Sequence, residues 1–284
     1  MGRAARELKL GGVYASAITP HMADILEPDY SAALDLLDFL AGAGVDGICL
    51  LGTAGEFLNY SFDERHRLVY LGSKRSRVPL LVGVSHSTLA GAVQLAGEAV
   101  AAGADGLLLM PPYFYRYSQC EIEEFYREFA REATDVVPVL LHHAPQFTSG
   151  LEIATIRRLI AGGGFAGIKD SSGDWCRMAE LLELKREFPF ALFCGSDRLA
   201  ARALSEGADG VISDCACAMP EFAPGDPRAI EFLDWIEKLP PLTAVKRALE
   251  LQGQKAGAPL TPLAPETARL LEEFDLWFKR VKHR

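Results

Sequence analysis

Lys169 closes the short apolar run Phe165-Ala166-Gly167-Ile168-Lys169-Asp170, so the chain drives a strand toward a core and ends it with an amine. A lysine so placed either reaches solvent along its apolar stem or is held desolvated. Desolvation disfavours the ammonium form. A neutral amine adds to a carbonyl carbon and gives a Schiff base, an electron sink for making or breaking the neighbouring bond. Other groups with chemical capacity end other apolar runs: Thr19 and His21, then Thr53-Ala54-Gly55-Glu56, then Ser85 and His86. The aromatic loop Tyr113-Phe114-Tyr115-Arg116-Tyr117 follows, and after it His142 and His143, Ser196 and Asp197, and Asp214. Four of the six histidines fall at such ends, which makes a shared rim worth testing.

A rim requires elements that bring it together. Runs rich in Val, Ile and Leu occur at 13–20, 47–53, 79–84, 106–112, 138–144, 165–170, 191–197 and 210–215, with helical patterns at 31–43, 61–75, 88–102, 120–133, 153–162, 174–187 and 197–206 between them. Even strands enter through glycine, as in Gly44-Val45-Asp46-Gly47, Gly103-Ala104-Asp105-Gly106 and Gly207-Ala208-Asp209-Gly210, with a looser echo in Gly164-Phe165-Ala166-Gly167. Odd strands enter through Val78-Pro79, Val137-Pro138 and Phe188-Pro189. Glycine ends a helix in the left-handed conformation and proline forbids its continuation. Eight continuous apolar strands alternating with helices predict an α/β fold, a closed parallel (β/α)8 TIM barrel. An open doubly wound sheet is the alternative, without a GxGxxG fingerprint to support it.

After the eighth strand the alternation stops. Helices are expected from Asp226-Pro227 through Lys238, at 242–252 and at 265–282, where Leu270, Phe274, Trp277 and Val281 form an apolar stripe. The expected division is a barrel over 1–222 and a short C-terminal helical extension over 223–284, packed on it.

In such barrels the chemistry lies at the C-terminal ends of the strands. Period-two alternation means that if Lys169 faces the axis, Gly167 does too, and leaves room for a ligand. The Gly52-Thr53-Ala54-Gly55 turn offers N–H groups suited to a carboxylate.

Composition narrows the classes further. The 284 residues are 49% hydrophobic and carry a net charge of −9, so nucleic-acid binding is not expected. The basic tail Lys279 to Arg284 suits the last turn of a helix. No apolar stretch is long enough for a membrane span, and Met1–Gly12 lacks a signal-peptide core. Six cysteines without CxxC spacing suggest reduced core residues of a cytoplasmic protein.

Five segments together resemble the dihydrodipicolinate synthase / N-acetylneuraminate lyase family in order and spacing. They are Ala17-Ile18-Thr19-Pro20, Leu51-Gly52-Thr53-Ala54-Gly55-Glu56, Gly106 to Tyr113, Gly167-Ile168-Lys169-Asp170-Ser171-Ser172-Gly173-Asp174 and Gly207 to Ser213. The resemblance implies a (β/α)8 barrel, a homo-oligomer (tetramer or dimer), and a Schiff base between Lys169 and pyruvate or another 2-keto acid, with neither cofactor nor metal. It puts the keto acid's carboxylate on Thr53 and Ala54, with Gly195 and Ile212 lining the pocket. The departures are Ala54 for a hydroxylated residue, His142 for a proton-relaying tyrosine and Phe114 for a tyrosine lent by a neighbouring subunit. Phe147 stands near the arginine that binds the second substrate's carboxylate, and Cys217 replaces an asparagine.

The expected function is therefore a pyruvate- or 2-keto-acid-dependent lyase, an aldolase or dehydratase, and not a true dihydrodipicolinate synthase. His142 is the expected acid/base, with activity falling as pH drops through about 6.5. Phe147 predicts a neutral or apolar aldehyde, with Arg116 as the alternative anchor for a charged one. Two other readings stand beside it. One is a keto-acid-binding protein with altered catalysis; the other is a metal-dependent barrel enzyme using His21, His86, His142 and Asp214.

Overall fold

The computed structural model describes residues 10–22, 25–133 and 137–282. Each apolar run contributes a strand: β1 (Gly12–Ser16), β2 (Gly47–Leu50), β3 (Leu80–Gly83), β4 (Gly106–Leu109), β5 (Val139–His143), β6 (Gly167–Asp170), β7 (Ala191–Cys194) and β8 (Gly210–Ser213). They pair in parallel in chain order, and β8 closes on β1 through Tyr14↔Ile212. The barrel helices are α1 (Tyr30–Gly42), α2 (Phe62–Arg75), α3 (Leu89–Ala102), α4 (Gln119–Ala133), α5 (Ile153–Ala161), α6 (Trp175–Glu187) and α7 (Asp197–Ser205). A single turn, α8 (Cys215–Ala218), precedes α9 (Pro227–Lys238), α10 (Thr243–Leu251) and α11 (Pro265–Lys282). The chain is a TIM barrel with C-terminal helices.

Most strands end sooner than their apolar runs. The second run extends to residue 53, yet β2 stops at Leu50 because Leu51 takes a φ of 54°. These tails leave the ladder and build the mouth. At the opposite face the glycines act as expected: Gly44, Gly103 and Gly207 have φ of 90°, 98° and 111°. The aspartates beside them have a role that spacing did not announce. Asp46, Asp105 and Asp209 accept the N–H of Val13, Leu80 and Leu192 at 2.7, 2.9 and 2.7 Å. Each even-strand acid thus caps the start of the preceding odd strand, satisfying a donor the ladder leaves open.

In the last helix Phe274, Trp277 and Val281 are buried, as the stripe requires, and Phe232 stacks on Trp277 at 6.2 Å. The predicted basic last turn is present in Lys279, Arg280 and Lys282; His283 and Arg284 lie outside the described residues, as do the first nine residues of the Met1–Gly12 segment. Cys120 and Cys176 are exposed on α4 and α6, so only four of the six cysteines are core residues as expected. Among the described residues no helix is long and apolar enough to cross a membrane.

Candidate active site

The inner side chains of the barrel form a floor of Tyr14, Cys49, Leu81, Leu108, Leu140, Phe193 and Ile212. One pleat further along the strands, period two brings up Ser16, His142, Lys169, Gly195 and Asp214. Lys169 is 3% exposed and sits in register with His142 across the β5–β6 pair. Gly195 gives it room. A Cβ there would lie 2.7 Å from Lys169 Cε and 2.3 Å from Ser171 Oγ. Gly167 serves a different end than expected, since a Cβ on it would lie 2.2 Å from the carbonyl oxygen of Ala191. The space below the lysine is thus taken up by close strand packing, and the ligand room lies above it.

Outward-facing neighbours fix the frame. Asp170 is buried against Arg177 at 2.6 Å and accepts from the backbone and hydroxyl of Ser172 at 3.0 and 2.5 Å. His143 accepts the N–H of Leu151 at 2.9 Å, and burial with the Arg177 charge lowers its pKa to about 4. His142 is 2% exposed and its Nε2 lies 3.0 Å from Ser171 Oγ. Burial, then the charges of Lys169 and His143, hold its pKa well below 6.5. The neutral imidazole is therefore favoured, and the acid limit anticipated near 6.5 moves lower because burial disfavours the charged form. Asp214 accepts a hydrogen bond from Ser16; burial raises its pKa, while Lys169 and Ser16 pull it back.

The turn after β2 is strained at both ends, with Leu51 and Glu56 at φ of 54° and 50°. Gly55 is required, because a Cβ would meet Leu51 Cα at 2.9 Å. Thr19 holds the turn by donating to the Gly55 carbonyl at 2.8 Å. Gly55 and Glu56 donate back to Gly52 and Thr53, whereas the N–H groups of Thr53 and Ala54 go to no acceptor among the described residues. Two adjacent donors at the barrel mouth make a cradle for a carboxylate.

A cleft of about 780 Å3 joins these parts. Thr53, Ala54, Lys169, Ser171, Gly195 and Asp214 border it on the barrel side, and Phe147 stands at its edge, 55% exposed. The far wall comes from the C-terminal helices and their links, including Leu242, held at a φ of 61°, and Leu260. A buried ion pair docks that wall to the turn, Lys246 Nζ to Glu56 Oε2 at 2.6 Å, with Lys246 2% exposed. Among the described residues Lys169 is thus the lysine that lines the cleft.

Of the residues singled out from sequence, Thr53, Ala54, Lys169, Gly195 and Phe147 converge here. His142 lies behind Ser171, and Ile212 is one layer down in the floor. Phe114, 84% exposed at a φ of 82°, borders a separate hollow of about 380 Å3 that shares Thr53 and Phe147. Arg116 is exposed and donates to the Thr148 carbonyl at 2.8 Å, outside both spaces. His21 and His86 do not join His142. His21 contacts the carbonyls of Met22 and Ala258 at 2.9 and 2.6 Å, and His86 contacts Thr88 Oγ1 at 2.9 Å. Among the described residues no three His, Cys, Asp or Glu side chains form a group able to hold a metal.

Two features escaped the sequence. Ser171 sits in the quoted Lys-Asp-Ser-Ser motif, but only the two-residue step past an inward lysine hints that it returns to the cleft. Lys246 lies in an ordinary amphipathic helix, and nothing local to it announces a partner in the turn after β2.

Comparison with known proteins bears on this geometry. Residues 9–225 match the model of the dihydrodipicolinate synthetase family. The "Uncharacterized DapA-like lyase" of Chloroflexus aurantiacus is 34% identical over 219 residues, 75% of this chain and 72% of its own length. The "Probable 2-dehydro-3-deoxy-D-pentonate aldolase" of Escherichia coli is 32% identical over 207 residues, 71% of this chain and 68% of its own. The structure of YagE from Escherichia coli K12, solved in complex with pyruvate, superposes with a TM-score of 0.85 at 24% identity, covering 96% of this chain and 98% of that one.

Proposed function

Because the chain belongs to the dihydrodipicolinate synthetase family, and so to the class I Schiff-base lyases, we propose that it cleaves or forms a bond next to pyruvate or a close 2-keto acid through an imine on Lys169. The observation that carries this is the position of Lys169, buried beside Gly195 at the bottom of the cleft while Lys246 is ion-paired to Glu56. The Thr53-Ala54 N–H pair takes the keto acid's carboxylate, and His142 serves the proton transfer. The relative solved with pyruvate supports this choice of keto acid.

The partner is a neutral aldehyde. Phe147 offers an apolar face at the cleft edge, and Lys246 is neutralised by Glu56. Among the described residues a second carboxylate would meet no unpaired cation in the cleft lining beyond the imine itself. The relative named for a 2-dehydro-3-deoxypentonate supports an aldolase of this kind over a synthase. In this reading residues 1–222 supply the imine chemistry and 223–284 the wall that meets the aldehyde. The protein works in the cytoplasm as a homo-oligomer, with the exposed Phe114 and Tyr115 at a subunit contact.

Borohydride trapping tests the central step. Pyruvate with borohydride should add one mass increment, on the peptide that contains Lys169, and Lys169→Ala should abolish it. Labelling at another lysine, or none with any 2-keto acid, refutes the assignment.

A further inference from the structure

His142 does not reach the cleft by itself. It is 2% exposed and forms no part of the cleft wall, whereas the half-buried Ser171 does. Ser171 is anchored through its backbone, whose N–H donates to the His143 carbonyl at 2.9 Å, and its Oγ stands 3.0 Å from His142 Nε2. The same oxygen borders the lysine. The point that a Cβ on Gly195 would occupy lies 2.3 Å from Ser171 Oγ and 2.7 Å from Lys169 Cε. A hydroxyl standing between a buried imidazole and the imine-forming carbon chain has the placement of a proton shuttle.

The geometry points to Ser171 as the catalytic residue that exchanges the proton with the substrate, with His142 as the buried acceptor behind it. This rests on the Lys169 imine proposed above. With pyruvate bound as its iminium, Ser171 Oγ takes a proton from C3 while its own proton passes to His142 Nε2. The C3–H electron pair becomes the C2=C3 bond, and the iminium pair moves onto nitrogen. A cationic iminium and neutral imidazole thus become a neutral enamine and an imidazolium. In bond formation the enamine C3 attacks the aldehyde carbon. The new alkoxide takes the Ser171 proton, which the imidazolium replaces. The step uses the imidazole tautomer that carries its proton on Nδ1, so that Nε2 accepts from the hydroxyl.

Pyruvate alone is sufficient as a probe, because enamine formation exchanges its methyl protons with solvent. In D2O, proton NMR should show wild-type protein replacing the methyl protons by deuterium. Ser171→Ala should slow this by at least about 100-fold, the usual contribution of a positioned acid or base, with borohydride trapping on Lys169 unchanged. Ser171→Thr, which keeps a hydroxyl, should recover most of the rate. His142→Phe should fall to the level of Ser171→Ala, and the double variant should be no slower than either. Exchange at the wild-type rate in Ser171→Ala, with trapping intact, overturns the shuttle and leaves the imine reading standing. An equal loss of trapping and exchange also overturns it, since it would make Ser171 a packing neighbour of Lys169. Failure of wild-type protein to trap pyruvate is a separate result and removes the imine itself.

Discussion

Adding one methyl group at Gly195 should disable the lysine with little harm to the fold. In Gly195→Ala the new Cβ would lie 2.7 Å from Lys169 Cε, 2.3 Å from Ser171 Oγ and 3.1 Å from the Asp170 carbonyl oxygen. Carbon–carbon contacts settle at about 3.5–4.0 Å, so the lysine tail must retreat by roughly 1 Å. Its two nearest neighbours are side-chain ends, which can yield, and the overpacking should cost about 1–3 kcal/mol. At roughly 2–4 °C per kcal/mol for a chain approaching this size, Tm should fall by several degrees without loss of cooperative unfolding. The chemical penalty should be larger in proportion, because a misplacement of about 1 Å at the reacting atoms can reduce rate by about 100-fold. The assay pairs thermal unfolding with the rate of borohydride trapping by pyruvate, read by mass. Gly167→Ala is the contrast: its Cβ would lie 2.2 Å from the Ala191 carbonyl oxygen, backbone that cannot yield, so it should unfold the barrel. A Gly195→Ala protein that traps pyruvate at the wild-type rate would refute the placement of Lys169 against Gly195.

Three further outcomes are expected. Folded His142 and His143 have pKa values held below the ordinary value, so as pH falls through about 6.5 the unfolded chain binds protons that the folded one refuses. The two histidines' share of stability should be flat above that pH and fall below it toward about 4, by up to about 1.4 kcal/mol per pH unit for each group, against the opposite slope of Asp197, whose pKa burial raises to about 6; the pH dependence of the difference in urea midpoint between wild type and His143→Gln should show that residue's share. Lys246→Met should cost about 3–5 kcal/mol by stranding the Glu56 carboxylate, measured by chemical denaturation; a loss within 0–1 kcal/mol, the range of an exposed pair, would make the tie a surface contact. Purified protein should condense pyruvate with aspartate semialdehyde poorly in a coupled assay, and Phe147→Arg should improve it; robust condensation by the wild type would contradict the neutral-aldehyde reading.

The barrel was legible because two independent signals agreed: β-rich runs at regular intervals, and glycine or proline before each from the second onward. Helix positions followed from the same punctuation, and α11 occupies the predicted 265–282. Strand ends were less visible. Apolarity continues past Leu50 and past Ser16, while the ladder stops where the backbone turns outward. Lys169 stood out because a charge ending an apolar run conflicts with burial unless it is used. Ser171 did not, since a serine in a polar turn is the ordinary composition of a loop. The His142 pKa was invisible for a related reason: it depends on burial within the closed barrel and then on the charges of Lys169 and His143, which no single segment encodes. Lys246 and Glu56 are joined only by the closing of the chain on itself.

The far wall of the cleft has a consequence for how this protein can change. Lys169, Gly195 and the Thr53-Ala54 turn belong to the barrel, whereas Leu242 and Leu260 come from the end of the chain and are tied down through Glu56–Lys246. On the proposed function, activation and selection are carried by separate stretches of polypeptide, joined by ion pairs that include Glu56–Lys246 and Arg198–Glu237. On that reading, substitutions around residues 236–261 should alter which aldehyde is accepted while the residues proposed to activate the keto acid stay untouched. A lineage can therefore try new partners without first losing its chemistry.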